Sequence, residues 1–259
     1  MLTAEVIAFV RSGLLEPPAR VLEVGAGDGE LAAALRELGY EVVAIDPRSQ
    51  APGVEPVALV DFGDAPGSFD AAVAVVSLHH VEPLAASCAN LARLVRPGGR
   101  LVIDEIDVDA LDERAVRWWL HQRAAAGREE DWHGPGAHGG GGHGGSGHGG
   151  SGGRGGSGGH GGSGGRGGSG GRGGSGGRGG SGSAGEPAVI VAEMRSHLHA
   201  LSSIEAALSP HFVLGTPVRC AYLHRWELGP GLRDAEEHGI AAGRLPAIGA
   251  RMVGVRREG

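Results

Sequence analysis

A short apolar strand that runs without a break into three closely spaced glycines, and from there into a helix, constrains this chain more than any other feature. Residues 20–24 end in Leu22, Glu23 and Val24, and Gly25, Ala26, Gly27, Asp28 and Gly29 follow directly. Leu31, Ala34, Leu35 and Leu38 then recur at helical spacing over 30–38. Glycine tolerates positive φ and lets a ligand come close to the backbone, although a tight strand-to-helix connection alone also asks for it. The alternation continues. Apolar strands are predicted over 41–45, 54–60, 71–76 and 100–106, and a helix over 83–95 buries Leu84, Cys88, Leu91 and Val95. Continuous apolar strands alternating with helices make a parallel sheet covered on both faces, so the fold class is α/β and doubly wound. Ligands of such sheets bind at the carboxyl ends of the strands. The glycine turn, Asp46, Asp61 and Ser77 all fall there.

The flanking segments fit one domain around this sheet. Residues 2–15 carry Leu2, Val6, Val10 and Leu14 at helical spacing and stop at Gly13 and the Pro17-Pro18 pair. Beyond the fifth strand, helices are expected over 112–126, 194–208 and 231–242. Strand-like runs cover 211–214 and 220–228, and a final strand, predicted antiparallel, covers 250–255. Only residues 47–53 join the second and third strands, which leaves room for a single turn. Of the 52 glycines, 33 lie between Gly134 and Gly185, where Gly-Gly-Ser-Gly-Gly-Arg repeats. Such a tract buries too little apolar surface to offset the entropy of ordering it, and a flexible coil is expected. The expected organisation is therefore 1–133 and 186–259 as a single domain, its ligand-binding core about 20–106, with 134–185 as a disordered insertion.

Composition narrows the partners. A net charge of -7 argues against a general nucleic-acid surface. All 23 basic residues are Arg, which with abundant Ala and Gly suggests a GC-rich, bacterial genome. Cys88 and Cys220 form no disulfide framework, so a reducing cytoplasm is expected. Residues 1–16 carry Glu5 and Arg11 and read as neither a leader nor a membrane span.

A dinucleotide fingerprint would read G-x-G-x-x-G. Here the third glycine comes early, at Gly29, and Glu30 stands where that fingerprint wants glycine. Val21 to Gly29 is followed, in order, by Ile45-Asp46, Val60-Asp61-Phe62, Ser68-Phe69-Asp70-Ala71, Ser77-Leu78-His79-His80-Val81 and Leu94-Val95-Arg96-Pro97-Gly98-Gly99-Arg100-Leu101. Together these segments resemble the class I S-adenosylmethionine-dependent methyltransferases, and among them the small-molecule type 11 group. The resemblance implies a Rossmann-like sheet, S-adenosylmethionine as cofactor and methyl transfer by in-line displacement.

It also implies roles. Asp46 accepts from the ribose hydroxyls, Pro47 lies near the adenine face, and Asp61 accepts from the adenine amino group. Phe62 offers an amide and an apolar wall. Gly25, Ala26 and Gly27 pass beneath the methionine part, with Gly29 closing the turn and Ser77 at the facing strand end. Glu23 orients the methionine ammonium, or else caps the neighbouring helix. His79 and His80 line the pocket, and either imidazole is a candidate base. No Asn-Pro-Pro-Tyr signature is present, and Cys88 sits on an apolar helix face, so a small-molecule acceptor is expected. Trp118, Trp119, Trp132, Tyr222 and Trp226 are candidates for an apolar acceptor pocket, with ordinary core as the alternative. Two other functions stay open: an NAD(P)-binding Rossmann enzyme, disfavoured by Glu30, and a non-catalytic RNA binder using the Arg-Gly-Gly repeats. The histidines His133, His138, His143, His148 and His160 have no fixed geometry, so no metal site is expected, and neither is membrane association.

Overall fold

Five strands too apolar for solvent on either face settle side by side and recruit helices to cover them. The computed structural model describes residues 2–128, 186–226 and 228–258. The repeat tract, its histidines and Trp132 lie outside the described residues. β1 (Arg20–Val24), β2 (Glu41–Ile45), β3 (Val54–Glu55), β4 (Phe69–Val75) and β5 (Val95–Ile106) run parallel. β8 (Gly249–Arg256) pairs antiparallel with β5, and β6 (Phe212–Leu214) and β7 (Val218–Cys220) both pair antiparallel with β8. The sheet order is β3-β2-β1-β4-β5-β8-β6. Chain order reverses between β1 and β4, and at such a switch point a crevice opens beyond the strand ends.

Alternation along β1 assigns the helices to faces. Leu22 and Val24 point to the side packed by α3 (Leu84–Leu94) and α6 (Leu201–Leu208). Val21 points to the other side, under α1 (Ala4–Gly13) and α2 (Glu30–Glu37). Each fully buried Leu or Val contributes about 1.5–3 kcal/mol relative to exposure. Gly13 ends α1 as expected and also lets it approach the sheet closely, because a Cβ there would lie 2.8 Å from Val102 Cγ2. A third cluster caps the far end of β5. It joins α4 (Glu113–Ala125) to α5 (Pro187–His197) through Val116, Trp119, Ile190 and Val191. α4 starts cleanly, Asp112 accepting the Ala115 amide at 3.0 Å. α7 (Arg233–Ala241) packs against the turns at 223–225 and 230–232. None of the described helices is long and apolar enough to cross a membrane.

Several expectations are corrected. The third strand shrinks from 54–60 to two residues, since Pro56 has no amide to give a ladder. The run after β2 forms no helix, in keeping with its seven residues. β5 starts at Val95, ahead of the Pro97-Gly98-Gly99 stop, with a register shift against β4. The helix predicted over 194–208 is two helices, broken where the His199 amide donates to the His79 carbonyl at 2.9 Å. The strand predicted over 220–228 ends at Cys220, and a 3₁₀ turn, Leu223–Arg225, replaces its remainder.

Candidate functional site

The glycine turn is stapled to the end of β2. The Gly25 and Ala26 amides donate to the Ile45 carbonyl at 2.8 and 3.1 Å, and the Gly27 amide donates to Asp46 Oδ2 at 3.0 Å. Asp46 Oδ1 accepts from the Arg48 amide at 2.8 Å, and Ser49 Oγ donates to the Gly27 carbonyl at 2.6 Å. The turn therefore offers a ligand bare backbone surface, the Gly25, Ala26, Gly27 and Gly29 amides being already engaged. Each Asp46 oxygen keeps a second lone pair.

Two cavities meet over this turn. The first, about 380 Å³, is lined by Asp46, Pro47, Arg48, Val57, Leu59 and Ser77 among others. The second, about 230 Å³, is lined by Glu23, Ala26, Asp28, Glu30, Tyr222 and Arg225 among others. Gly25 and Val76 border both. Gly25 has φ +72°, and a Cβ on it would overlap the Ser77 side chain, so glycine keeps the passage open. Gly25→Ala is expected to lower the melting temperature by several degrees. The left-handed conformation alone costs about 1–2 kcal/mol, and roughly 2–4 °C per kcal/mol applies at this size. Thermal unfolding measures it, and an unchanged midpoint would mean that the wall yields freely. Val76, at φ 54°, is the described non-glycine residue with positive φ. Strain of this kind gathers where a fold over-determines a functional position.

Buried oxygens without partners mark both cavities. Glu23, which lines the second, has Oε2 without a partner, and Ser77, which lines the first, has Oγ without one; Ser68 Oγ and Ser87 Oγ, away from both, are unpartnered too. Glu23 is 4% exposed. Burial pushes its carboxyl up to about 8, against the lowering effects of Arg36 and the Ala32 amide at the start of α2, with Asp46 adding to the rise. The carboxyl thus lies against the Ala32 amide near the start of α2, and its Oε2 is without a partner.

The two histidines separate. His79 is buried, its Nδ1 2.5 Å from Glu105 Oε2, and it lines neither cavity. His80 lines the first. The expectation that both line the pocket is corrected, because adjacent residues of a 3₁₀ turn point in different directions. Asp61 is exposed and Phe62 is core beside Phe69, 6.2 Å between ring centroids, and neither lines either of these two cavities. Val57, Ala58 and Leu59 form that wall instead. Gly27 and Gly29 shape the turn without lining either cavity. Trp119 and Trp226 stack at 4.3 Å with the Trp119 indole N–H donating to the Trp226 carbonyl, which is core packing and not a pocket wall. Trp118 packs against the same core, and Tyr222 does line the second cavity.

Sequence reasoning missed Glu105, fully buried, whose Oε1 accepts the Ser77 and Leu78 amides at 2.8 and 2.6 Å. It clamps the turn that presents Ser77 and His80. The available signal was a pair of acids, Asp104 and Glu105, inside an otherwise apolar strand.

Comparison with known proteins follows the same outline. Residues 3–130 match a family described as a methyltransferase domain. A ubiquinone biosynthesis O-methyltransferase of Xanthomonas campestris is 33% identical over 114 residues, 38% of this chain and 48% of that protein. An uncharacterised methyltransferase of Mycobacterium bovis is 38% identical over 92 residues, 32% of this chain and 37% of that protein. The chain thus spans about half the length, or less, of these curated relatives. The solved YcgJ protein of Bacillus subtilis superposes with TM-score 0.51 at 14% identity, covering 99% of this chain and 100% of that one, a likeness of fold.

Proposed function

We propose that the chain, whose residues 3–130 match a methyltransferase domain, is a class I S-adenosylmethionine-dependent methyltransferase that methylates a small-molecule acceptor. One observation carries the placement of the cofactor: two cavities joined over a bare glycine, each lined by a residue that holds an unsatisfied buried oxygen. Unpaired buried polar atoms cost about 1–3 kcal/mol each, so their persistence asks for a partner. The residues fit a nucleoside with an amino-acid tail. Asp46 accepts from two ribose hydroxyls, while Val57 and Leu59 pack the base. Gly25 and Val76 form the saddle between the cavities, and Glu23 accepts from the tail's ammonium. When bound, the sulfonium supplies an already activated methyl group. What the chain must add is alignment and exclusion of water, and positioning of this kind is worth roughly 7–11 kcal/mol in favourable cases. His80, at the rim of the first cavity, takes up the acceptor's proton where the acceptor has one to lose. A small acceptor agrees with the printed name of the Xanthomonas relative and with the net charge of -7.

Calorimetric titration with S-adenosylhomocysteine tests the reading, and the absence of binding would end it. The pH dependence adds a specific signature. Glu23 is protonated in the free protein below about 8 and must ionise to hold an ammonium. Affinity is therefore expected to rise between pH 6.5 and 8, by up to about tenfold per unit. Glu23→Gln flattens that slope. For the unliganded protein the sign reverses. An acid whose folded pKa exceeds its unfolded value costs stability as pH rises from 4.5 to about 8, and the Gln variant lacks that loss too. Equal slopes in both proteins would remove Glu23 from the site.

A further inference from the structure

The turn Tyr222 to Arg225 repeats the construction of the turn Ser77 to His80. In the first, Glu105 accepts the Ser77 and Leu78 amides and meets His79 Nδ1. In the second, Glu236 accepts the Tyr222, Leu223 and His224 amides at 2.7, 2.8 and 2.8 Å and meets His224 Nδ1 at 2.8 Å. Both carboxylates are fully buried. Burial opposes ionisation of Glu236, and the hydrogen bonds it receives outweigh that, so its pKa lies below the ordinary value. A carboxylate buried at this depth is tolerable only when fully engaged, and full engagement fixes the backbone that engages it. The first turn delivers Ser77 and His80 to one cavity. The second delivers Tyr222 and Arg225 to the other.

Resting on the cofactor reading above, we propose that Arg225 receives the carboxylate of the cofactor's amino-acid tail and that Glu236 is the positioning residue that sets it there. Asp28 and Glu30 make the second cavity acidic, Glu23 adds a carboxyl that ionises above about 8, and Arg225 is the cation among the residues lining it. A zwitterionic tail needs both signs within one small space. Glu23 offers an unpaired acceptor for the ammonium. The guanidinium is anchored on one side only, Nη1 donating to Asp104 Oδ1 at 2.6 Å, with the ring of Tyr222 5.2 Å away. Among the described residues its Nε and Nη2 donate to no protein acceptor, and a planar fork of two donors is what a carboxylate accepts. The inference brings into the cofactor site a segment that lies beyond residues 3–130, the part matching the family.

Three nucleosides separate the outcomes by calorimetry. S-adenosylhomocysteine carries the whole tail, S-adenosyl-3-thiopropylamine lacks only the carboxylate, and 5′-methylthioadenosine lacks the tail. The wild type is expected to bind the thiopropylamine on the order of 10- to 100-fold more weakly than S-adenosylhomocysteine, as loss of a charged hydrogen-bonded pair predicts. Arg225→Met is expected to reduce S-adenosylhomocysteine affinity to the thiopropylamine level and to leave methylthioadenosine unchanged. Glu236→Gln is expected to shift S-adenosylhomocysteine in the same direction without touching methylthioadenosine, which also certifies the fold. If the wild type binds the thiopropylamine as tightly as S-adenosylhomocysteine, the proposal is wrong, whatever the variants do. If the variants weaken all three nucleosides equally, Arg225 and Glu236 are structural and the proposal is again wrong. If the wild type binds none of the three, the cofactor reading itself has failed.

Discussion

Asp46→Ala is expected to abolish S-adenosylhomocysteine binding at any practical concentration while leaving the fold standing. The carboxylate lines the first cavity and already accepts one backbone amide on each oxygen, from Gly27 and Arg48. Those contacts fix the carboxylate where the proposed reading needs it, facing two neighbouring hydroxyls of the ribose. Hydrogen bonds to a charged acceptor contribute about 1.5–3 kcal/mol each, so two of them amount to roughly a hundredfold to ten-thousandfold in affinity. Some further loss comes from releasing the glycine turn, whose Gly27 amide loses its acceptor. Asp46→Asn keeps one carbonyl acceptor and should fall between the two proteins. Calorimetry on the three reads this directly, with thermal unfolding as control. Affinity within threefold of wild type in Asp46→Ala would show that the ribose is held elsewhere.

The second large effect concerns stability. Asp104→Ala is expected to cost about 3–5 kcal/mol, read as the shift in urea midpoint at unchanged slope. Asp104 is fully buried in β5 and takes Arg225 on Oδ1 and Arg251 on Oδ2, at 2.6 and 2.8 Å. Arg225 is nearly buried, and Arg251 reaches onward to Glu5 in α1. Removing the carboxylate strands two cations where water reaches them poorly, and the remaining Glu5 contact serves only one of them. Total stability of a domain is typically about 5–15 kcal/mol, so roughly a fifth or more of it rests here. The three elements joined, β5, β8 and the 222–225 turn, come from opposite sides of the undescribed tract. A cost below about 1 kcal/mol would mean that the arginines find solvent or other acids without strain.

Much of this was legible because parallel sheets write themselves locally. Residues 20–24, 41–45 and 71–75 are strands because nearly every position past the first is apolar and covered, and a Gly, Asp or Ser stands at or just past each end. Asp46 was legible for the same reason: a carboxylate at a strand end beside a glycine turn has few other places to point. What stayed hidden depends on distant partners. Tyr222 to Leu228 looks like a strand until Glu236, a dozen residues on, collects its amides. The break near His199 carries no glycine or proline and exists because its amide meets His79. His79 and His80 are neighbours in sequence, and only the clamp on Glu105 separates the buried ring from the one at the cavity. The aromatic residues misled because Trp rings suit a core as well as a pocket, and the stacking of Trp119 on Trp226 settles them in the core.

The placement of β8 bears on how the molecule assembles. Positions 100–106 find their partners at 249–255, and β6 and β7 attach only to β8. A growing chain that has released its first five strands still presents β5 as an open edge of unpaired amides, the kind of surface on which nascent proteins stick to one another. Closure waits for the ribosome to deliver the closing strand. Because the entropy of joining distant segments grows only logarithmically, doubling the intervening length adds about 0.6 kcal/mol. Selection against a longer interruption would therefore act through the lifetime of that naked edge and hardly at all through the finished fold.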